Sequence, residues 1–295
     1  MLLALVLYSL TLIPVSYAWG PITHVYLALQ AEDSLPGDSE LRGLLFEYEE
    51  DYVYGAVAPD IYVSQYFDEE GYKKHGRLHS WDTALLLLKE ASSPEEKAFA
   101  VGYTIHLVSD VQAHNHYVPR QGIALGMTMR ESHAAIESAV DDQISPGYKE
   151  ILESYILLRS DKSIDLLQRV AGIPSLRRAE DDFRLQALIY GRSRLFENST
   201  FYEVERLLGS GYQPYLNKTV DNILGFLQVL EGQGDQLYLA ARRAERLGII
   251  GLEDPKGEEA QRLADEKVLK GHWWDRLFAR LSLWWESFKF KLRGE

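Results

Sequence analysis

The chain has 295 residues, 46% of them hydrophobic, enough to bury a large core in one main domain with appendages. Its 44 acidic side chains against 31 basic ones leave a formal charge of −13, which disfavours a nucleic-acid reader that works by neutralising phosphates, although a nuclease whose metals supply local positive charge stays open. Cysteine is absent, so disulfide frameworks, thiol nucleophiles, Cys-ligated zinc and a lipoprotein cysteine anchor are excluded, and any metal must be held by His, carboxylate or backbone groups.

Residues 1–18 read as a signal peptide, with an apolar run from Leu2 to Ile13, a helix-breaking Pro14, and Ser16 and Ala18 as small residues flanking a cut. The n-region lacks Lys and Arg, and the run falls short of the ~20 apolar residues that a membrane span needs. Cleavage after Ala18 would place the protein outside the cytoplasm, secreted, periplasmic or on the cell surface, with Trp19 as its N-terminus. The freed α-amine and carbonyl of Trp19 could then bind metal.

Residues 19–247 read as helix after helix. Ile22, Tyr26, Leu27 and Leu29 begin one amphipathic run, and Leu41, Leu44, Leu45 and Phe46 suggest a second. The Gly and Pro of GAVAPDIY, Gly55 to Tyr62, predict a loop or helix end. Trp81 to Ala91 is strongly helical, and Ser93-Pro94-Glu95-Glu96 starts the next helix, which runs through His106 and Asp110. A break is expected at Pro119 to Gly126, then a helix through His133 and Glu137 that stops near Pro146. From Tyr148 to Leu247 helical spacing persists, with breaks near Gly172 to Pro174 and Gly209 to Pro214; neither β-alternation nor an internal repeat is seen, which predicts an all-α multi-helix bundle. Residues 248–271 are rich in charge and read as a solvated linker or an exposed helix. Residues 272–295 hold four of the six tryptophans and form a basic amphipathic pattern, suited either to a membrane surface or to packing against the bundle.

His106 and Asp110 stand four apart on a predicted helix, so their side chains leave one face as ligands for one metal or two adjacent metals must. His133 and Glu137 repeat that spacing on the next helix, with His114 and His116 between the two pairs. One such pair is common by chance; two pairs, a histidine cluster between them and a processed N-terminus together point to a metal centre.

With these motifs the chain resembles the zinc-dependent phospholipase C family, whose fold is shared with single-strand-specific fungal nucleases and the N-terminal domain of glycosylphosphatidylinositol-specific phospholipase D. The resemblance lies in WGPITH, GAVAPDI, LHSWD, IHLVSDVQAHNH and the helix with His133 and Glu137. It implies three zinc ions bridged by Asp110: one on Trp19 and His24, one on Asp60, His79 and His106, and a third on His114 or His116 with His133 and Glu137. His116 has the spacing of the secreted phospholipases C and nucleases but lacks their intervening proline; His114 has that of the phospholipase D branch, and helical geometry favours it. His75 competes with His79 but lies on a Lys-flanked stretch that reads as surface. Asp60 is the candidate to orient or deprotonate water, while Asp82, Asp141 and Asp142 read as supporting or surface groups.

The reaction so implied is attack of water on the phosphorus of a phospholipid with loss of an alcohol. The same metals would equally serve an extracytoplasmic single-strand nuclease or phospholipase D-type cleavage. A non-enzymatic alternative is a metal-stabilised binding protein on the membrane. The implied partner is a phospholipid, with membrane-surface contact through residues 272–295 and no stable nucleic-acid partner.

Overall fold

The computed structural model describes residues 19–65, 69–157, 161–192, 211–250 and 253–271, with Leu277 and Leu281. Among these residues the fold is all-α, with no strand. The signal peptide read at 1–18 and, apart from those two leucines, the aromatic helix read at 272–295 lie outside them. No helix among the described residues is long and apolar enough to cross a membrane.

The fold is organised around one helix buried on every side. Helices α1 (Pro21–Asp33), α2 (Glu40–Glu47), α3 (Glu49–Gly55), α4 (Glu69–Leu78) and α5 (Trp81–Glu90) precede α6 (Pro94–Gln112), and a 3₁₀ helix, Ala58–Gln65, lies between α3 and α4. Every residue of α6 from Ala98 to Asp110 is buried, including Thr104, His106, Ser109 and Asp110. A helix with no solvent face has no amphipathic stripe to read, and its polar residues must find partners inside the protein. Its start is set locally: Ser93 accepts from the Glu96 amide while the Glu96 carboxylate accepts from Ser93, a capping box.

Two glycines let α3 lie directly on α6. A Cβ added at Gly102 would collide with the Tyr52 carbonyl oxygen, and one added at Gly55 would collide with the Phe99 carbonyl and stand 2.9 Å from the Tyr103 nitrogen. Backbone therefore meets backbone at this crossing, and the residue after Gly55, Ala56, is brought against the buried face of α6.

Beyond α6 the chain does not break at Pro119. A π-helical turn, Ala113–Tyr117, leads straight into α7 (Val118–Leu125), with Pro119 in its first turn. The stop comes at Gly126, with φ 73 in the left-handed region. Helices α8 (Met129–Asp141), α9 (Pro146–Leu157), α10 (Asp161–Ala171), α11 (Leu176–Arg192), α12 (Gln213–Leu230) and α13 (Leu237–Arg246) complete the shell, and α1, α3, α5, α10 and α12 all pack on α6.

Of the two readings of the charged stretch, a solvated linker or an exposed helix, the structure has the helix, and it is docked. Glu258–Lys270 forms α14, which packs on α7, α8 and the π turn. Charge dominates its sequence because only Ala264 is buried, and a single buried residue leaves little periodicity to detect.

Candidate metal centre

Five segments converge at one end of α6: the first turns of α1 (His24), the 3₁₀ helix (Asp60), the residue after α4 (His79), the last turns of α6 with the π turn (His106, Asp110, His114), and α8 (His133, Glu137). Each of these eight side chains is at most 4% exposed. They fall into three groups with ligand atoms within 4.8 Å of one another: His24, His106 and Asp110; Asp60, His79 and His106; and His114, His133 and Glu137.

Distances divide the first two groups. Asp110 turns Oδ1 to His24 Nε2 at 3.3 Å and Oδ2 to His106 Nε2 at 3.1 Å and His79 Nε2 at 3.6 Å. His79 Nε2 also lies 3.3 Å from Asp60 Oδ1 and 3.3 Å from His106 Nε2. Ligands bound at about 2.0–2.1 Å around a tetrahedral ion stand about 3.3 Å apart, the spacing seen here. One imidazole nitrogen serves one ion, so His106 belongs with Asp60, His79 and Oδ2, and the two oxygens of Asp110 face two different positions. In the third group His133 Nε2 and Glu137 Oε1 are 2.8 Å apart.

Where the other ring nitrogen is resolved, it points away from the centre. His106 Nδ1 donates to the Ala56 carbonyl at 2.8 Å, His79 Nδ1 to the His75 carbonyl at 3.2 Å, and His114 Nδ1 to the Pro255 carbonyl. His24 Nδ1 donates to Ser109 Oγ at 3.1 Å, because the Ser109 proton is already given to the His106 carbonyl at 2.7 Å. These bonds place the Nδ1 proton outward and aim Nε2 inward, the arrangement that prepares imidazoles for a metal. Buried His24 Nε2, His114 Nε2 and both Asp110 oxygens have no hydrogen-bond partner. At His24 a nitrogen lone pair thus faces the Asp110 carboxylate at 3.3 Å without a proton between them, an arrangement that a shared cation would relieve. The donor set, imidazole and carboxylate without sulfur, suits zinc.

Electrostatics follow from burial opposed by these neighbours. Burial acts against the charged form of His106, but the carboxylates Asp110 and Asp60 outweigh it and hold the imidazole up at about 9. Burial, reinforced by His106, lowers His24, and burial lowers His114. Burial also opposes ionisation of Asp60 and Asp110, yet the His106 charge beside them wins, leaving Asp60 below and Asp110 well below the usual carboxylate range.

The two histidines left open in the sequence separate cleanly. His114 is 1% exposed and joins the third group, whereas His116, two residues on around the π turn, is exposed and belongs to none of the three. His75 corrects its reading as a surface residue: it is 1% exposed, its ring lies 3.9 Å from that of His79, and its carbonyl orients His79. The Lys-flanked stretch misled because only one face of α4 is solvated. Trp19 is fully buried, its ring stacked on Tyr117 at 5.0 Å, one turn before His24. Asp82 and Asp142 are exposed, but Asp141 is buried and accepts from the Ile22 amide at 3.2 Å, the Thr23 amide at 2.9 Å and the Thr23 hydroxyl at 2.6 Å, so it caps α1 from a distant helix. Sequence reading missed Ser109 and the carbonyls of Ala56, His75 and Pro255. Backbone acceptors carry no residue signature, although a serine three residues after His106 on a buried helix could have been questioned.

Comparisons with known proteins agree with this geometry. The family described as zinc dependent phospholipase C matches residues 23–170, which contain all eight grouped side chains. An uncharacterized protein of Archaeoglobus fulgidus is 36% identical over 109 residues, spanning 36% of this chain and 28% of that protein. No solved structure matches.

Proposed function

Because the chain belongs to the zinc-dependent phospholipase C family, a zinc-dependent hydrolase at the coarse level, we propose that it is a phosphodiesterase of the phospholipase C type, hydrolysing phospholipid headgroups. The observation that carries this reading is the inward set of Nε2 atoms and the unpartnered Asp110 carboxylate, fixed by outward hydrogen bonds from Nδ1. In this reading three zinc ions would be held, one by His24 and Asp110 with the backbone of Trp19, one by Asp60, His79, His106 and Asp110, and one by His114, His133 and Glu137. Such ions supply an acidified water near neutral pH and neutralise charge on the phosphoryl oxygens.

The protein's own groups then have defined tasks. Asp110 spans two positions and fixes their separation. Asp60 turns Oδ1 to His79, and its carboxylate would orient the attacking water and receive its proton. The Nδ1 acceptors hold each imidazole in one tautomer, so no reorganisation is needed during the reaction. The substrate phospholipid is met at a membrane surface through residues 272–295, and the mature protein acts outside the cytoplasm after cleavage behind Ala18.

The test uses purified protein. Metal content is measured first, then hydrolysis of phosphatidylcholine, phosphatidylinositol and single-stranded DNA with and without chelator. Chelator-sensitive release of phosphorylated headgroup is expected. Release of phosphatidic acid would reassign the enzyme to D-type cleavage, and hydrolysis of DNA alone would make it a nuclease. Full zinc occupancy with no phosphodiester hydrolysed would overturn an enzymatic role.

A further inference from the structure

The family match ends at residue 170, yet the chain returns to the metal centre some eighty residues later. Residues 253–265 touch three of the segments that carry ligands. The Trp81 indole, two residues after His79, donates to the Glu253 carbonyl at 2.9 Å. Asn115 donates to the Asp254 carbonyl at 2.9 Å, and its neighbour His114 to the Pro255 carbonyl. At the far end of this segment Asp265, on α14, accepts from the Met129 amide at 2.7 Å, one turn before His133.

The approach is as close as the backbone permits. Gly257 has φ 60, and a Cβ there would lie 2.5 Å from the His114 carbonyl oxygen and 2.7 Å from the His114 Cβ. Only glycine satisfies both the left-handed conformation and the contact. Asp254 then holds the turn, accepting from the Lys256 amide at 3.1 Å and the Glu258 amide at 2.9 Å, where α14 begins. Pro255 and Gly257 are buried although their neighbours Glu253 and Asp254 are exposed.

We propose that residues 253–270 form a strap that positions the third metal group, with Pro255 and Gly257 as its positioning residues. The strap sets the tautomer of His114 through the Pro255 carbonyl and the height of the π turn through Gly257. It is added from outside the family-matched region to a position where the other two groups have acceptors from within it, Ala56, His75 and Ser109. This inference rests on the reading of the three groups as metal positions. Loss of a second partner to a metal-binding imidazole typically weakens the metal 10- to 100-fold, so the effect should fall on one ion of the three.

The experiment compares Gly257→Val, Asn115→Ala and Gly232→Val with the full wild-type chain. Gly232 is a control, because it too has positive φ (69) but no atom within 4 Å of an added Cβ. Zinc per chain is measured after dialysis against a competing chelator, and the fold of each zinc-free protein is followed by circular dichroism. Gly257→Val should hold one zinc fewer, or hold it 10- to 100-fold more weakly, with the other two unchanged. Asn115→Ala, which removes one hydrogen bond from the strap, should weaken the same ion several-fold, and this variant decides the matter if Gly257→Val does not fold. Gly232→Val should retain the wild-type complement. A wild type with three zinc ions and strap variants that keep all three at wild-type affinity would overturn the strap alone. A wild type that holds no zinc would overturn the metal reading together with it.

Discussion

Asp110 and His106, one turn apart on α6, place Oδ2 and Nε2 3.1 Å from each other inside the protein, while the other oxygen of Asp110 faces His24 at 3.3 Å. One carboxylate therefore faces two candidate metal positions, and an amide, with a single acceptor oxygen, cannot serve both. Asp110→Asn replaces one anionic oxygen by an NH2 group that can donate to the His24 Nε2 lone pair but cannot bind a metal. Zinc content should fall by about two ions per chain, and hydrolysis should fall by at least about 100-fold, in line with the several kcal/mol that metal-assisted charge stabilisation supplies. Elemental analysis and phospholipid turnover of the variant check this; retention of full zinc would remove Asp110 from its bridging place.

The crossing of α3 and α6 sets the Ala56 carbonyl against His106, so the backbone contact at Gly102 is part of the metal centre at one remove. In Gly102→Ala the added methyl meets the Tyr52 carbonyl, which belongs to a helix and cannot turn aside as a side chain would. A loss of about 1–3 kcal/mol is expected from overpacking. Denaturant unfolding of the zinc-free protein measures this, and weaker zinc binding should accompany it, because separating the helices draws Ala56 away from His106 Nδ1. Unchanged stability would mean that α3 and α6 are further apart than described.

How much of this was visible beforehand follows the physics of each signal. The pairs His106 with Asp110 and His133 with Glu137 are local, and four-residue spacing on a helix reports a shared face whatever surrounds it. The capping box at Ser93 is equally local, and it stands where it was read. The choice of His114 over His116 was legible only in direction: the geometry of an unbroken helix favoured it, whereas the structure has a π turn there, which buries His114 and exposes His116. What stayed hidden was tertiary. The carbonyls of Ala56 and Pro255 act through backbone atoms, α14 buries a single residue, and His75 is covered by neighbours that no sequence window contains.

Proton linkage gives a prediction with a definite sign. His106 is raised from 6.5 to about 9 in the folded protein, against burial, by Asp110 and Asp60. In the zinc-free protein its contribution to stability is complete below about 6.5 and is lost as pH rises through about 9. Asp110 acts in the opposite sense: its depressed pKa contributes stability above the usual carboxylate range, which is lost as pH falls through the folded value. Zinc needs the Nε2 lone pair that His106 keeps protonated near neutrality, so binding at pH 7.5 should expel about one proton from this site, and affinity should rise towards pH 9. Calorimetry in buffers of different ionisation enthalpy counts that proton. Binding without proton release at pH 7.5 would show that His106 is already neutral.

The carboxylate of Asp141 joins α8 to the beginning of α1 and so links Glu137, one turn away on the same helix, to Trp19 and His24. A Cβ at Gly20 would meet this carboxylate and push it away from its Thr23 and Ile22 donors, so the chain before α1 lies close against α8. Burial pushes the Asp141 carboxyl up to about 7, in part countered by the Thr23 hydroxyl and the Thr23 and Ile22 amides that donate to it. Asp141→Ala leaves those two amides and the hydroxyl without an acceptor inside the protein, a loss of about 1–2 kcal/mol as for other N-caps. A purely structural cap would lower thermal stability and leave metal content alone. If Trp19 supplies its backbone to the His24 position, the same variant should also weaken one zinc ion, the one opposite to that affected by Gly257→Val. Mass determination of the N-terminus of the purified protein, made on the same sample, should find Trp19 as the first residue if the proposed leader is cleaved. A retained leader together with three tightly held zinc ions would remove the α-amine from the ligand set and leave His24 and Asp110 to hold that position with solvent.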